Sequence, residues 1–244
     1  MNVSNVREFV FEMKAYAESA WSMDRYSPDE YLSRYCELFG EYADEVKSTI
    51  IDFYESFPEL DSKYLEKHLT TYFNYTKTPP PAGITDFVLK EGSIIDYGKR
   101  MTDNFDKDLS KWLCHEYAAA IKPVIANSDD ICARFERLVG KLDEPLKTHL
   151  KIKWLLSAKT LNYIYKWYVA LHDAKIYRDE YDGENMKKSI LEACGYLFDY
   201  LDYRKCAEYG EFRNWYRGDL KMNIKQRLYD TLKIIGQTPE MTEY

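Results

Sequence analysis

Carboxylates are the most numerous side chains in this sequence that could do chemistry. The chain has 41 Asp and Glu residues among its 244. Two carboxyls that face each other across a glycosidic bond can hydrolyse it, one as acid and the other as nucleophile or base. No such pair is picked out by spacing, and exposed faces of helices account for carboxylates in this pattern. The residues alone therefore predict no catalytic group.

Histidines and one acidic run are the candidate metal ligands. His115-Glu116 opens like a zinc-binding helix motif, but Ala119 stands where the second histidine would be needed. Residues 127–130, Asn-Ser-Asp-Asp, lack a further acid one helical turn on, so a helix cap is favoured over an acidic metal site. We predict no metal site and no cofactor. The other histidines lie on or beside apolar stripes, which is typical of a core or seam position: His68, His149 and His172.

The stretch 204–224 is the segment best suited to binding. A connection between helices needs only about 2–8 polar residues, whereas this one is rich in aromatic rings and arginines. Such a segment either packs against the body of the protein or contacts something else. The side chains concerned are Tyr209, Phe212, Trp215, Tyr216, Arg204, Arg213 and Arg217.

Composition limits the class of protein. The formal charge of −7 repels a phosphate backbone, and no run of Lys and Arg overrides it, so nucleic acid is not expected as a partner. A hydrophobic content of 45% is enough to bury a substantial core. The 23 tyrosines, against 10 glycines and 8 prolines, indicate long helices whose seams are lined by rings with a polar tip.

Segments that would direct the chain to a membrane or out of the cell are not apparent. No stretch reaches the ~18 apolar residues of a membrane span, and Arg7, Glu8 and Glu12 interrupt the N-terminal apolar run. We expect a cytoplasmic protein as written, or a periplasmic or secreted one if the chain is part of a longer enzyme. The widely spaced cysteines predict free thiols rather than a metal or redox motif: Cys36, Cys114, Cys132, Cys194 and Cys206.

Apolar side chains recur at helical spacing along most of the chain, which predicts an all-α antiparallel bundle of about eight or nine helices. Ser27-Pro28-Asp29-Glu30 has the pattern of a helix start. The longest helix is expected from Glu144 to about Tyr181, ended by Asp182-Gly183. The other helices are expected over about 4–22, 28–40, 42–58, 61–72, 109–123, 127–138, 186–201 and, capped by Asp219, 219–235.

A run of prolines divides the predicted helices into two groups along the chain. Residues 1–78 form an N-terminal helical unit, and 105–235 form a C-terminal helical bundle. Between them, the prolines at 79–81 cannot be helical, so 79–104 is expected to be an ordered crossover loop, with a short strand pair as the alternative. Residues 236–244 are a polar tail, and the whole is expected to make one composite domain.

Two N-terminal segments carry a resemblance to a known family. Residues 21–31, Trp-Ser-Met-Asp-Arg-Tyr-Ser-Pro-Asp-Glu-Tyr, and 39–43, Phe-Gly-Glu-Tyr-Ala, resemble the helical region after the catalytic barrel in α-glucuronidase-type glycoside hydrolases, family 115 and relatives. Residues 153–159 and 208–223 are similar to the distal end of such regions in glycan-degrading enzymes of gut bacteria. The barrel's alternation of strands and helices is missing here. The resemblance therefore implies an accessory region without its catalytic domain.

The resemblance also implies candidate ligand-binding residues: Trp21, Asp24, Trp215, Tyr216 and Arg217. Aromatic rings that stack on sugar faces, with Asp and Arg bonding to hydroxyls, would give such a site its physical basis. The alternative interpretation is that these rings pin loops to the helical body.

Three functions remain open at this point. The first is a non-catalytic helical module of glycoside-hydrolase machinery, which acts in packing, dimerisation or carbohydrate contact. The second is an independent protein-interaction module with a Tyr-lined groove, and the third is a small hydrolase in its own right. The expected partners are a glycan or a glycosidase barrel, and a second copy of the chain, but neither nucleic acid nor a membrane.

Overall fold

The computed structural model describes residues 10–22, 24–57, 94–95, 98–106, 114–218 and 223–236. Over these residues the chain is helical and contains no strand, which confirms the all-α class. The α-helices are α1 Val10–Trp21, α2 Pro28–Cys36, α3 Ala43–Glu55, α4 Cys114–Lys141, α5 Leu146–Leu150, α6 Leu156–Asp179, α7 Gly183–Tyr203 and α8 Ile224–Lys233.

Shorter helical turns complete the described elements. A π-helical turn, Lys151–Leu155, joins α5 to α6 without a break, so the long helix expected there is present. When α5, the π-helical turn and α6 are counted as one helix, the α-helices named above in the described residues number 7. This is fewer than the eight or nine predicted. The helix predicted over 61–72 lies outside the described residues. Turns of 3-10 helix occupy Glu37–Tyr42, Arg204–Ala207, Gly210–Phe212 and Trp215–Gly218.

The chain divides into two compact units that are interleaved in sequence. Met1–Phe57 and Ser128–Ala158 make up the first unit, and Pro58–Asn127 and Lys159–Tyr244 make up the second. Of the predicted crossover loop, 79–104, only 94–95 and 98–104 are described, and 94–95 and 98–103 are helical. The short strand pair considered for this segment is therefore not formed by Ile94-Ile95, whose side chains are buried.

An aromatic core holds the first unit together. Phe53 of α3 lies with its ring centroid 6.5 Å from Phe135 of α4 and 6.3 Å from Trp154 of the π turn, in edge-on geometry. Edge-on pairs of this kind are favoured by the ring quadrupole and bury large apolar areas. At the surface, Lys141 pairs with Glu45 at 3.0 Å.

A second aromatic core lies in the second unit. Trp167 of α6 is fully buried, and its indole N–H donates to the hydroxyl of Thr231 in α8 at 3.3 Å. Lys175, also fully buried, donates to the backbone carbonyl of Phe105 at 2.6 Å. Burial lowers the pKa of Lys175, and neighbouring Arg178 acts in the same direction. The helix α8 packs against α7 in this unit.

Helix starts follow the sequence only in part. Ser27 accepts a hydrogen bond from the Glu30 backbone N–H at 3.3 Å, so this predicted cap is confirmed. Asp182, which is predicted only to end the long helix, also caps α7 by accepting from the Asn185 backbone N–H at 3.1 Å. The prediction that Asp219 caps the last helix is wrong. That cap is Asn223, which adopts a left-handed backbone with φ of 42° and accepts from the Gln226 N–H at 3.4 Å.

The helix break predicted around Pro123 is also wrong. Helix α4 runs through Pro123, and residues 127–130 lie inside it rather than capping a new helix. A proline inside a helix costs about 3 kcal/mol. Buried side chains nevertheless follow helical spacing on both sides of it: Ala118, Ile121, Ser128, Ile131, Cys132, Phe135 and Leu138. Their burial outweighs the loss of one backbone hydrogen bond.

Candidate functional site

A surface hollow of about 490 Å³ lies in the first unit, where α1 ends and α2 begins. We call it the Trp21 hollow. It is the right size for a small ring-shaped ligand, since ligand pockets commonly measure ~300–1,000 Å³. Its lining residues are Ala17, Glu18, Trp21, Ser22, Arg25, Tyr26, Ser27 and Arg34.

A tight turn after α1 shapes the hollow. The backbone N–H groups of Arg25 and Tyr26 both donate to the carbonyl of Ser22, at 2.9 and 3.0 Å. Ser27 then caps α2, which fixes the direction in which the second helix leaves. These bonds bring Arg34, more than one helical turn into α2, to the same hollow as Trp21.

The indole of Trp21 is the most unusual feature of the hollow. Trp21 is 92% exposed, although it is the last residue of α1 and belongs to the residue type with the largest apolar surface. A tryptophan usually buries most of its ring, so an indole left in water beside a concave surface is an unusual feature of this surface. The other side chains around it are mainly polar or charged.

The charges of the hollow are partly paired. Arg34 binds the carboxylate of Glu18 at 2.5 Å, with side chains 56% and 35% exposed. No hydrogen bond or ion pair of the Arg25 side chain is present among the described residues. Burial raises the pKa of Tyr26, and the charge of Glu18 raises it further, so its phenol stays protonated and can donate a hydrogen bond. The lining thus offers a flat apolar face with hydrogen-bonding groups beside it.

The predicted site residues do not all lie at this hollow. Trp21 lines it, whereas Asp24 is exposed on the adjoining turn and is not a lining residue. Trp215 and Tyr216 belong to the second unit. The side chain of Arg217 lies outside the described residues.

Several contacts of the segment around Trp215 lie within the segment itself. The Phe212 ring lies 5.3 Å from Trp215, and the guanidinium of Arg204 stands 5.0 Å from the Tyr216 ring centroid. The backbone N–H of Tyr216 donates to the Glu208 carboxylate at 2.9 Å. These contacts favour the interpretation that the rings of this segment pin a loop.

Sequence reasoning missed most of the lining. Glu18 and Trp21 are three residues apart on α1, a spacing that places them on one helix face. This signal was available. Arg25 and Tyr26 lie within the segment 21–31 that carries the family resemblance, yet only the turn geometry at Ser22 shows that they face the hollow. Arg34 could be linked to Trp21 only through the three-dimensional fold.

A second polar feature of the first unit is a chain of hydrogen bonds through Tyr35. The indole N–H of Trp154 donates to the Tyr35 hydroxyl at 2.7 Å, and that hydroxyl lies 2.7 Å from His149 Nε2. The indole can only donate, so Tyr35 accepts from Trp154, and the tautomer of His149 decides which of the two groups donates in the second bond. His149 thus belongs to a hydrogen-bonded chain within the first unit, as expected of a seam histidine. Burial lowers the pKa of His149, and the Lys153 charge lowers it further.

This arrangement predicts a pH dependence of stability. Because the pKa of His149 is lower in the folded state, the unfolded chain binds a proton first as pH falls below about 6.5. The free energy of unfolding should decrease with falling pH in that window and level off once both states are protonated. We expect urea unfolding between pH 5 and 8, about the range in which histidine titrates, to show this slope.

The matched variant is His149→Gln, whose side-chain amide can still form a hydrogen bond with Tyr35 but does not titrate. Its stability should depend less on pH than that of the wild type. An unchanged slope in His149→Gln would assign the effect to other groups and contradict the prediction.

The described residues contain neither a cluster of possible metal ligands nor a helix that could span a membrane. No group of three or more His, Cys, Asp and Glu side chains is placed to hold a metal ion in the part of the chain that the structure describes. Over the same residues, no helix is both long enough and apolar enough to cross a membrane. The cysteines with described side chains are free thiols, as predicted: Cys36, Cys132, Cys194 and Cys206.

The Trp21 hollow is thus the candidate site of this chain. Compared with protein-family models, curated proteins and solved structures, the chain shows no match to any of them.

Proposed function

We propose that this chain is a non-catalytic helical module of glycoside-hydrolase-type machinery, and that the Trp21 hollow contacts carbohydrate. The observation that carries the proposal is the 92% exposed indole on the wall of a hollow that is otherwise lined by polar side chains. The association with a glycosidase rests on the sequence resemblance alone.

The chemistry of a sugar ring fits this lining. A pyranose has one face of C–H groups, which can lie against an indole, and a rim of hydroxyls that need hydrogen-bonding partners. The Glu18–Arg34 pair supplies both acceptors and donors at the edge of the hollow, and Arg25 supplies further donors. Because hydrogen bonds to charged groups are stronger than neutral ones, a few of them orient a weakly held ligand.

A protein-interaction module is the second candidate. It is favoured by two apolar side chains that α7 exposes, Leu191 and Phe198. A groove lined by tyrosines receives less support, because Tyr165 and Tyr168 of the longest helix are buried in the core.

Replacement of Trp21 by alanine is expected to weaken binding of an oligosaccharide about 2- to 12-fold, since an aromatic contact contributes about 0.5–1.5 kcal/mol. Titration of the wild type with oligosaccharides of xylan, glucuronoxylan and host glycans should quench its tryptophan fluorescence. The indoles of Trp154 and Trp167 are buried, so the response should come mainly from exposed rings. Because Trp21→Ala also removes the reporter, its affinity is measured by calorimetry.

Trp215→Ala is the matched control, because Trp215 is an indole of the second unit that packs on Phe212. It should bind as the wild type does. If Trp215→Ala lost binding and Trp21→Ala kept it, the site would lie in the second unit instead. A flat response to every sugar would contradict carbohydrate contact altogether.

A further inference from the structure

One face of α7 is exposed along its whole length. Residues spaced by three or four positions share a helix face, and the seven residues of this series are all exposed. Two of them are large and apolar, with Leu191 44% and Phe198 62% exposed. We call this surface the α7 face: Glu184, Lys187, Leu191, Gly195, Phe198, Asp202 and Lys205, the last in the 3-10 turn that follows the helix.

The order of side chains on the α7 face is self-complementary. From its N-terminal end it runs acid, base, apolar, glycine, apolar, acid, base. A second copy laid antiparallel, with the twofold axis between Cys194 and Gly195, would place Leu191 opposite Phe198. The same register would place unlike charges opposite each other at both ends: Glu184 with Lys205, and Lys187 with Asp202.

We propose that the α7 face is the interface of a twofold-symmetric homodimer. In such a dimer each contact occurs twice, because the same patch of both copies is used. The two Leu191–Phe198 pairs would cover the apolar surface that the single chain leaves in water. This inference does not depend on the carbohydrate proposal.

Gly195 is the feature that permits close approach of the two helices. A Cβ built on Gly195 meets no atom of the described residues within 4 Å, so none of these neighbours requires glycine there. Glycine within a helix is unfavourable by roughly 0.5–1 kcal/mol relative to alanine. At a helix–helix contact, however, the missing side chain lets the backbones come together.

The charged pairs at the two ends of the α7 face would fix the register of the two helices and would add little to the affinity of the dimer. Asp202 and Lys205 already form an ion pair within one chain at 3.1 Å, with side chains 69% and 62% exposed. The partner's Lys187 and Glu184 would extend this pair into a row of alternating charges. Like charges would meet if the copies were parallel, which disfavours that arrangement. A single helix face is smaller than a standard interface of ~800 Å² per partner, so we expect a reversible dimer.

Sedimentation of the full chain over a range of concentrations tests the proposal. The weight-average mass of the wild type should rise from 29.0 kDa towards twice that value. Phe198→Lys should stay at the monomer mass at concentrations where half of the wild type is dimeric. Leu38→Lys is the matched control, because Leu38 is 57% exposed but lies in the other unit, and it should associate as the wild type does.

The variant Gly195→Gln tests whether the dimer can be lost while the folded monomer stays stable. Glutamine is a good helix former and no neighbour opposes a side chain there, so thermal unfolding should move up by about 1–4 °C. The same variant should be monomeric, because its side chain holds the two helices apart. A wild type that stays monomeric throughout, or a Gly195→Gln variant that still dimerises fully, would overturn the proposal.

Discussion

Glu12→Ala is expected to lower the free energy of unfolding by about 3–5 kcal/mol, because it leaves a lysine charge buried without its partner. The ammonium of Lys153 lies 2.6 and 2.8 Å from the two carboxylate oxygens of Glu12. Both side chains are largely withdrawn from water, with Lys153 10% and Glu12 19% exposed. An ion pair in such a place is costly to break.

The surroundings of Lys153 act on that cost in opposite directions. Its ammonium lies 4.9 Å from the ring centroid of Trp154, and this attraction to the π face persists in the variant and offsets part of the cost. Tyr54 donates its hydroxyl to the same carboxylate at 3.3 Å, and burial raises the pKa of Tyr54, so this donor stays protonated. Loss of Glu12 therefore removes the acceptor of two donors at once, the buried Lys153 and the partly exposed Tyr54.

Urea unfolding followed by circular dichroism measures the effect, with two variants as controls. Glu45→Ala breaks the surface pair with Lys141, whose members are 39% and 43% exposed, and should cost less than about 1 kcal/mol. The double variant Glu12→Leu with Lys153→Met removes both charges and should recover most of the loss. The idea fails if Glu12→Ala costs no more than Glu45→Ala.

This ion pair illustrates what the sequence could not reveal. Lys153, Trp154 and Leu155 are consecutive and all buried, a pattern that a regular helix with one apolar face does not produce. Runs of three buried residues recur in α6, at 160–162 and 170–172, so the long helix is enclosed on more than one side. Helical periodicity predicted the long helix correctly, but it could not predict that a lysine in its middle faces the core.

The ends of the helices are likewise fixed partly by local sequence and partly by tertiary packing. The cap at Ser27 depends on a side chain three residues from its partner, so sequence reasoning found it. The cap at Asp182 is equally local, but the sequence pattern predicts only a helix end there. Helix α4 continues past Pro123 because of burial elsewhere in the fold, which a local rule does not see. Only Trp21 of the hollow was identified beforehand. Arg34 reaches it through the turn at Ser22, a tertiary arrangement without a sequence signal.

The second large effect concerns the contact between a glycine and a buried ring. A Cβ added to Gly98 would lie 2.6 Å from Cζ3 of Trp167 and closer still to Cη2, far inside van der Waals contact. The ring cannot easily give way, because Trp167 is fully buried and its N–H is bonded to Thr231, whose hydroxyl in turn donates to the Arg227 carbonyl at 2.7 Å. Overpacking of a fixed core costs typically 1–3 kcal/mol. We expect Gly98→Ala to cost about 3 kcal/mol.

Gly140→Ala gives the opposite expectation, since Gly140 lies in α4 and a Cβ there meets nothing within 4 Å. It should gain about 0.5–1 kcal/mol of stability. If both substitutions changed stability equally, the close contact at Gly98 would not exist in solution. A double-mutant cycle assigns the cost to the ring. In a Trp167→Phe background the smaller side chain leaves space, so Gly98→Ala should cost clearly less there, a non-additivity that only direct contact explains.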